Sequence, residues 1–97
     1  MQTFFMNNLS KRILELRFSL NIGRGKFAKI INTSPQIIRN IEKSASKPTP
    51  DLLEKICLTW PKYSLWLMTG NTTHKNDQTQ PEIKNIKTVF VRYQKIS

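Results

Sequence analysis

The stretch that most constrains this chain is "NTSPQIIRNIEKS", Asn32 to Ser44. Among residues other than glycine, asparagine best tolerates the left-handed backbone that stops a helix and turns the chain sharply. Ser34 follows with a side-chain oxygen able to accept from unpaired backbone amides. Pro35 then stands at a first helical position, where its missing N–H costs nothing. A turn and a short helix from Pro35 to the neighbourhood of Lys43 are therefore predicted. Advancing about 100° per residue from Ile38 places Ile37, Ile38 and Ile41 in one expected buried stripe. Gln36, Arg39, Asn40 and Lys43 fall on the opposite side, as an outward row that asks for a partner.

The flanking segments supply the rest of an all-α domain. Leu9, Ile13, Leu16 and Leu20 recur at three-and-four spacing, which predicts an amphipathic helix ending near Asn21. "GRGKFAKII" predicts a short helix with Phe27, Ile30 and Ile31 on one face and Ala28 beside them, while Arg24, Lys26 and Lys29 look outward. "SASKPTP" carries two prolines among small polar residues and reads as a loop. Thr49 and Pro50 repeat the cap-and-proline signal, and Leu52, Leu53, Ile56, Cys57 and Trp60 form a broad apolar face for a helix from Pro50 to Thr59. Pro61 breaks it, and "KYSLWLMTG" predicts a short fifth helix closed by Gly70, with Trp60 and Trp66 in the core.

Five helices thus fill residues 1–70. Residues 71–80 are polar and without apolar periodicity, and read as a linker. In the tail, residues 81–97, Ile83, Ile86, Phe90 and Tyr93 fit a helical stripe, whereas "TVFVRY" suits a strand. Apolar residues beyond a finished domain need cover, and a partner subunit would supply it, so these four are the dimerisation candidates.

Charge narrows the class of partner. The chain of 97 residues has a formal charge of +10. Arg24, Lys26, Lys29, Arg39, Lys43 and Lys47 crowd residues 23–47 against Glu42 alone, while residues 48–70 balance Asp51 and Glu54 with Lys55 and Lys62. One basic side beside a neutral one suits a polyanion such as nucleic acid. No window approaches the ~18 apolar residues of a membrane span, and the start lacks a secretory pattern, so a cytoplasmic protein without membrane contact is expected. Cys57 has no second cysteine for a disulfide or a metal site.

Catalysis and cofactors are not expected. His74 sits in the linker, no acidic pair has a plausible shared site, and Cys57 lies on an apolar face. "GRGK" is not a nucleotide phosphate loop. That loop needs four residues between its glycines and Ser or Thr after the lysine, whereas here one residue intervenes and Phe27 follows.

With a helix, an Asn turn and a helix capped by Ser and Pro, residues 16–70 resemble the helix-turn-helix domain of the Cro/CI-type phage repressors and their bacterial relatives, the XRE family. The resemblance is carried by "LR" at Leu16-Arg17, Ala28, Asn32, Ile38, Ile41, "IEK", "KPTPDLL" and "LWLMTG". It implies a five-helix, lambda-repressor-like fold in which Pro35, Gln36, Arg39 and Asn40 face base edges. It also implies that Arg24, Lys26, Ser34, Lys43 and Lys47 meet phosphates, and that Arg17 and Glu42 form a structural salt bridge. Gly23, Arg24, Gly25 and Asn32 depart from the family's usual Ser or Thr, Gln, Glu and Gly, so the second helix should start loosely and lean toward backbone clamping.

The function expected from all this is a sequence-specific, double-stranded DNA-binding transcriptional regulator. It would be an autoregulating repressor that binds an inverted repeat as a homodimer within the nucleoid. The alternative is an antitoxin-like module whose tail binds a partner protein while the helix-turn-helix autoregulates. Deleting residues 82–97 separates the two: loss of self-association and operator binding marks a dimerisation element, and loss of a co-purifying partner alone marks the antitoxin. A phage accessory factor that bends DNA is a third class, marked by strong operator bending with little repression.

Overall fold

Where helices can start and must stop sets the architecture of the computed structural model, which describes residues 8–75 and 77–82. α1 spans Asn8–Ser19, α2 Arg24–Ile30, α3 Pro35–Glu42, α4 Pro50–Thr59 and α5 Ser64–Thr69, with a 3-10 turn at Pro61–Tyr63 before α5. Among the described residues the protein is all-α, and extended backbone pairs only at an isolated antiparallel bridge between Thr73 and Gln78. No helix among them is long and apolar enough to cross a membrane.

Two of the starts are built the same way. The Ser34 hydroxyl accepts from the Ile37 N–H at 3.2 Å, and the Thr49 hydroxyl accepts from the Leu52 N–H at 3.2 Å. Pro35 and Pro50 follow as the first helical residues, as expected. The stops also share a device. Asn32 takes φ 56°, with the Asn32 N–H on the Lys29 carbonyl at 3.2 Å and the Thr33 N–H on the Ala28 carbonyl at 2.8 Å. These are the two bonds of a left-handed helix stop, and they satisfy carbonyls the helix end would otherwise strand. Ser44, at φ 59°, ends α3 identically, with its own N–H on Ile41 at 2.9 Å and the Ala45 N–H on Asn40 at 2.8 Å. Gly70, at φ 83°, closes α5.

The core gathers a few residues from each helix: Ile13 and Leu16, Phe27, Ala28 and Ile31, Ile38 and Ile41, Leu52 and Ile56, then Trp66 and Leu67. Trp60 packs at its edge with its ring stacked on Phe27, centroids 5.5 Å apart. Leu9, Leu20, Leu53 and Cys57 are half-buried against the same cluster. Two isoleucines expected inside are not. Ile30 is exposed because the buried arc of α2 runs through Phe27, Ile31 and Ala28, and small Ala28 draws that arc away from Ile30. Ile37 is likewise exposed. The buried arc of α3 is Ile41, Ile38 and Glu42, and Ile37 stands roughly 100° from Ile38, on the far side of Ile41.

Within residues 71–80, read from the sequence as a linker, Gln78 and Thr79 are bonded back to the helical domain. Thr73 and Gln78 exchange backbone N–H bonds at 3.0 Å each way, and the Thr79 N–H reaches the Lys62 carbonyl at 2.9 Å. α5 has no side-chain cap of its own, and Gln78 supplies one from outside the helix, accepting from the Leu65 N–H at 2.9 Å and donating to the Pro61 carbonyl at 3.1 Å. Such docking uses backbone and amide groups, so it leaves no trace in apolar periodicity. Ile83, Ile86, Phe90 and Tyr93, the dimerisation candidates, lie outside the described residues.

Candidate nucleic-acid interface

The site is anchored from behind by one carboxylate. Glu42 is wholly buried and accepts from Arg17 Nε at 2.5 Å, from a second Arg17 N–H at 3.0 Å and from Arg24 Nε at 2.9 Å. The remaining Arg17 terminal nitrogen donates to the Ile22 carbonyl at 2.9 Å. One acid therefore ties α1, the loop after it, α2 and α3 together. Two guanidiniums and three charge-assisted bonds meet the desolvation cost of burying Glu42. The Arg17–Glu42 pair is the one expected. Arg24, expected on a phosphate, joins it through Nε, and its side chain stays 27% exposed.

On the outward side of α3, Gln36 Nε2 donates to Asn40 Oδ1 at 3.0 Å, so the two amides hold one another in place. Gln36 keeps its carbonyl oxygen and a second N–H, and Asn40 keeps both of its N–H groups. Arg39 and Lys43 are exposed beside them. Lys26 and Lys29 are exposed on α2, and Lys47 in the loop after α3. None of these five has an acidic partner among the described residues, since the single acid nearby in sequence, Glu42, is already engaged inside. The surface is a set of unneutralised cations around two aligned amides.

The other expected residues have mixed positions. Pro35 is exposed at the first helical position, and offers an apolar ring but no donor. Ser34 is exposed, and its oxygen serves as the α3 cap, leaving the hydroxyl proton for a further contact. Gly23, at the start of α2, provides no side-chain cap. Among the described residues no three His, Cys, Asp or Glu side chains come together where they could hold a metal ion.

No protein-family model and no curated protein matches this chain. Its chemistry is therefore read from the residues themselves. Two members of the site escaped sequence reasoning. Ile37, 46% exposed, flanks Asn40 on the outward side of α3. The signal was available: with Glu42 turned inward to meet Arg17, the buried arc must centre between Ile41 and Glu42 and leave Ile37 out. The Arg24–Glu42 pair carried no such signal, because it joins residues 18 apart on different helices.

Proposed function

We propose that α2 and α3 form a helix-turn-helix of the lambda-repressor-like kind, and that the protein is a sequence-specific transcriptional repressor acting as a homodimer on an inverted repeat in double-stranded DNA. α3 lies in the major groove, which admits an α-helix, and the half-sites stand about one helical turn, ~34 Å, apart. The observation that carries this is the composition of one face. Gln36 and Asn40, hydrogen-bonded to one another, stand beside exposed Arg39 and Lys43 on a helix fixed from behind by a buried ion cluster.

Each group has a task there. The Gln36 and Asn40 amides match the acceptor and donor of an adenine edge, and Arg39 matches the two acceptors of guanine. Lys43, Lys47, Lys26 and the part-exposed Arg24 position the protein on phosphates without reading sequence. Pro35 contributes an apolar surface at the mouth of the groove. As a DNA-bound regulator the protein resides with the nucleoid in the cytoplasm.

Selection of bound duplexes from a random pool tests this directly. An enriched inverted repeat supports the proposal, and a pool that stays random sinks it. On the enriched site Gln36→Ala costs ~1–3 kcal/mol and leaves binding to random DNA nearly unchanged. Lys43→Ala weakens binding to both and lowers the slope of log K against log salt by about one. Equal losses on all DNA from both variants would deny base reading by α3.

A further inference from the structure

Ile37 is an apolar side chain left 46% exposed at the margin of the polar and cationic outward face of α3. The core does not require it, because Ile38 and Ile41 fill the space between α3 and its neighbours and are almost wholly buried. Its position is nonetheless fixed. The Ile37 N–H donates to the Ser34 hydroxyl at 3.2 Å, which locks the residue into the first turn of α3. First-turn residues are the ones a helix lying in the major groove brings to base edges. At about 100° per residue, Ile37 stands roughly 60° from Asn40, on the side away from Arg39 and Lys43. The surface thus grades from cations, through two amides, to one branched hydrocarbon.

Resting on the DNA-reading proposal above, we infer that Ile37 is a specificity-determining residue that packs on the 5-methyl group of a thymine in the major groove. That methyl is the one apolar group the four ordinary base pairs present there. The neighbouring amides strengthen the choice, since they match adenine and every adenine in the duplex faces a thymine. Exposed Arg39 and Lys43 on the same stretch, with no acidic partner among the described residues, favour DNA over an apolar protein surface as the occupant. An exposed isoleucine is costly to keep hydrated, and covering it with a methyl group removes apolar area from water on both sides.

The test replaces each thymine of the selected site, one at a time, with deoxyuracil, which lacks only the methyl. The full chain binds about three- to tenfold more weakly when one thymine in each half-site is replaced, and is indifferent to the others. Ile37→Ala binds the thymine and uracil sites alike, and keeps the affinity of the full chain for random DNA. Gln36→Ala binds the thymine and uracil sites more weakly but retains the uracil penalty. Wild-type protein that tolerates uracil at every thymine overturns the inference while leaving DNA reading intact, and so does a uracil penalty that survives Ile37→Ala. Failure to enrich any site overturns both together.

Discussion

On the inward side of α3 the carboxylate of Glu42 accepts three N–H bonds from two arginines, whereas on the outward side Arg39 and Lys43 have no acidic partner among the described residues. Both sides belong to one helix of eight residues. Inside, every charge is matched, because an unmatched one in low dielectric is prohibitively unfavourable. Outside, water solvates the charges and matching is unnecessary, so unpaired donors can persist until a partner arrives. The two aligned amides are the exception outside, bonded to each other and still holding donors and an acceptor in reserve. Inward residues should therefore answer to stability alone, and outward residues to binding alone.

The hardest strain on that division comes from Glu42→Ala. Arg17, with its side chain 6% exposed, would be left buried beside Arg24 without a counter-charge. The expected loss is ~3–5 kcal/mol of unfolding free energy, read by urea denaturation, enough to unfold a small domain outright. Lys43→Ala, one residue further along, should stay within ~0.5 kcal/mol of the native chain. If the two variants lost similar stability, the ion cluster would not be the anchor described.

The adjacent isoleucines sharpen the contrast next. Ile38→Ala empties a wholly buried position and should cost ~2–5 kcal/mol, while Ile37→Ala removes a half-solvated side chain and should cost ~0.5 kcal/mol or less. Comparable losses from both would place Ile37 back in the core, where helical periodicity alone had put it.

That pair also shows how far the sequence could be read. Helix starts and stops were open to it, since they depend on single residues with strong local chemistry. Ser34 with Pro35, Thr49 with Pro50, Asn32 and Gly70 all act where expected. Ser44 was harder, because serine only occasionally takes the left-handed conformation that ends α3. Faces of short helices were only partly legible. In seven or eight residues a periodicity has two turns to declare itself, and one small Ala28 or one inward Glu42 shifts the buried arc enough to expel Ile30 or Ile37. Contacts between distant residues, such as Arg24 with Glu42 or Gln78 with the start of α5, depend on the finished packing and leave no local signature.

The smallest expected effect sets the start of α2 against the start of α3. α3 begins with a serine cap and a proline, while α2 begins at Gly23 with no side-chain cap and carries Gly25 in its first turn. A Cβ built on Gly25 meets nothing within 4 Å, and the residue does not take a positive φ, so neither packing nor backbone geometry within the described chain requires glycine there. Ser34→Ala should lower stability by ~1 kcal/mol through the lost cap. Gly25→Ala should raise it by ~0.5–1 kcal/mol, chiefly by restricting the unfolded chain. In thermal unfolding these appear as shifts of several degrees in opposite directions, roughly 4–8 °C per kcal/mol for a domain of this size. If glycine at this position serves the close approach of a phosphate to the first turn of α2, the stabilised Gly25→Ala protein binds specific and random duplexes more weakly by the same factor. A stabilised variant with unchanged affinity would show that the uncapped start of α2 has no part in binding.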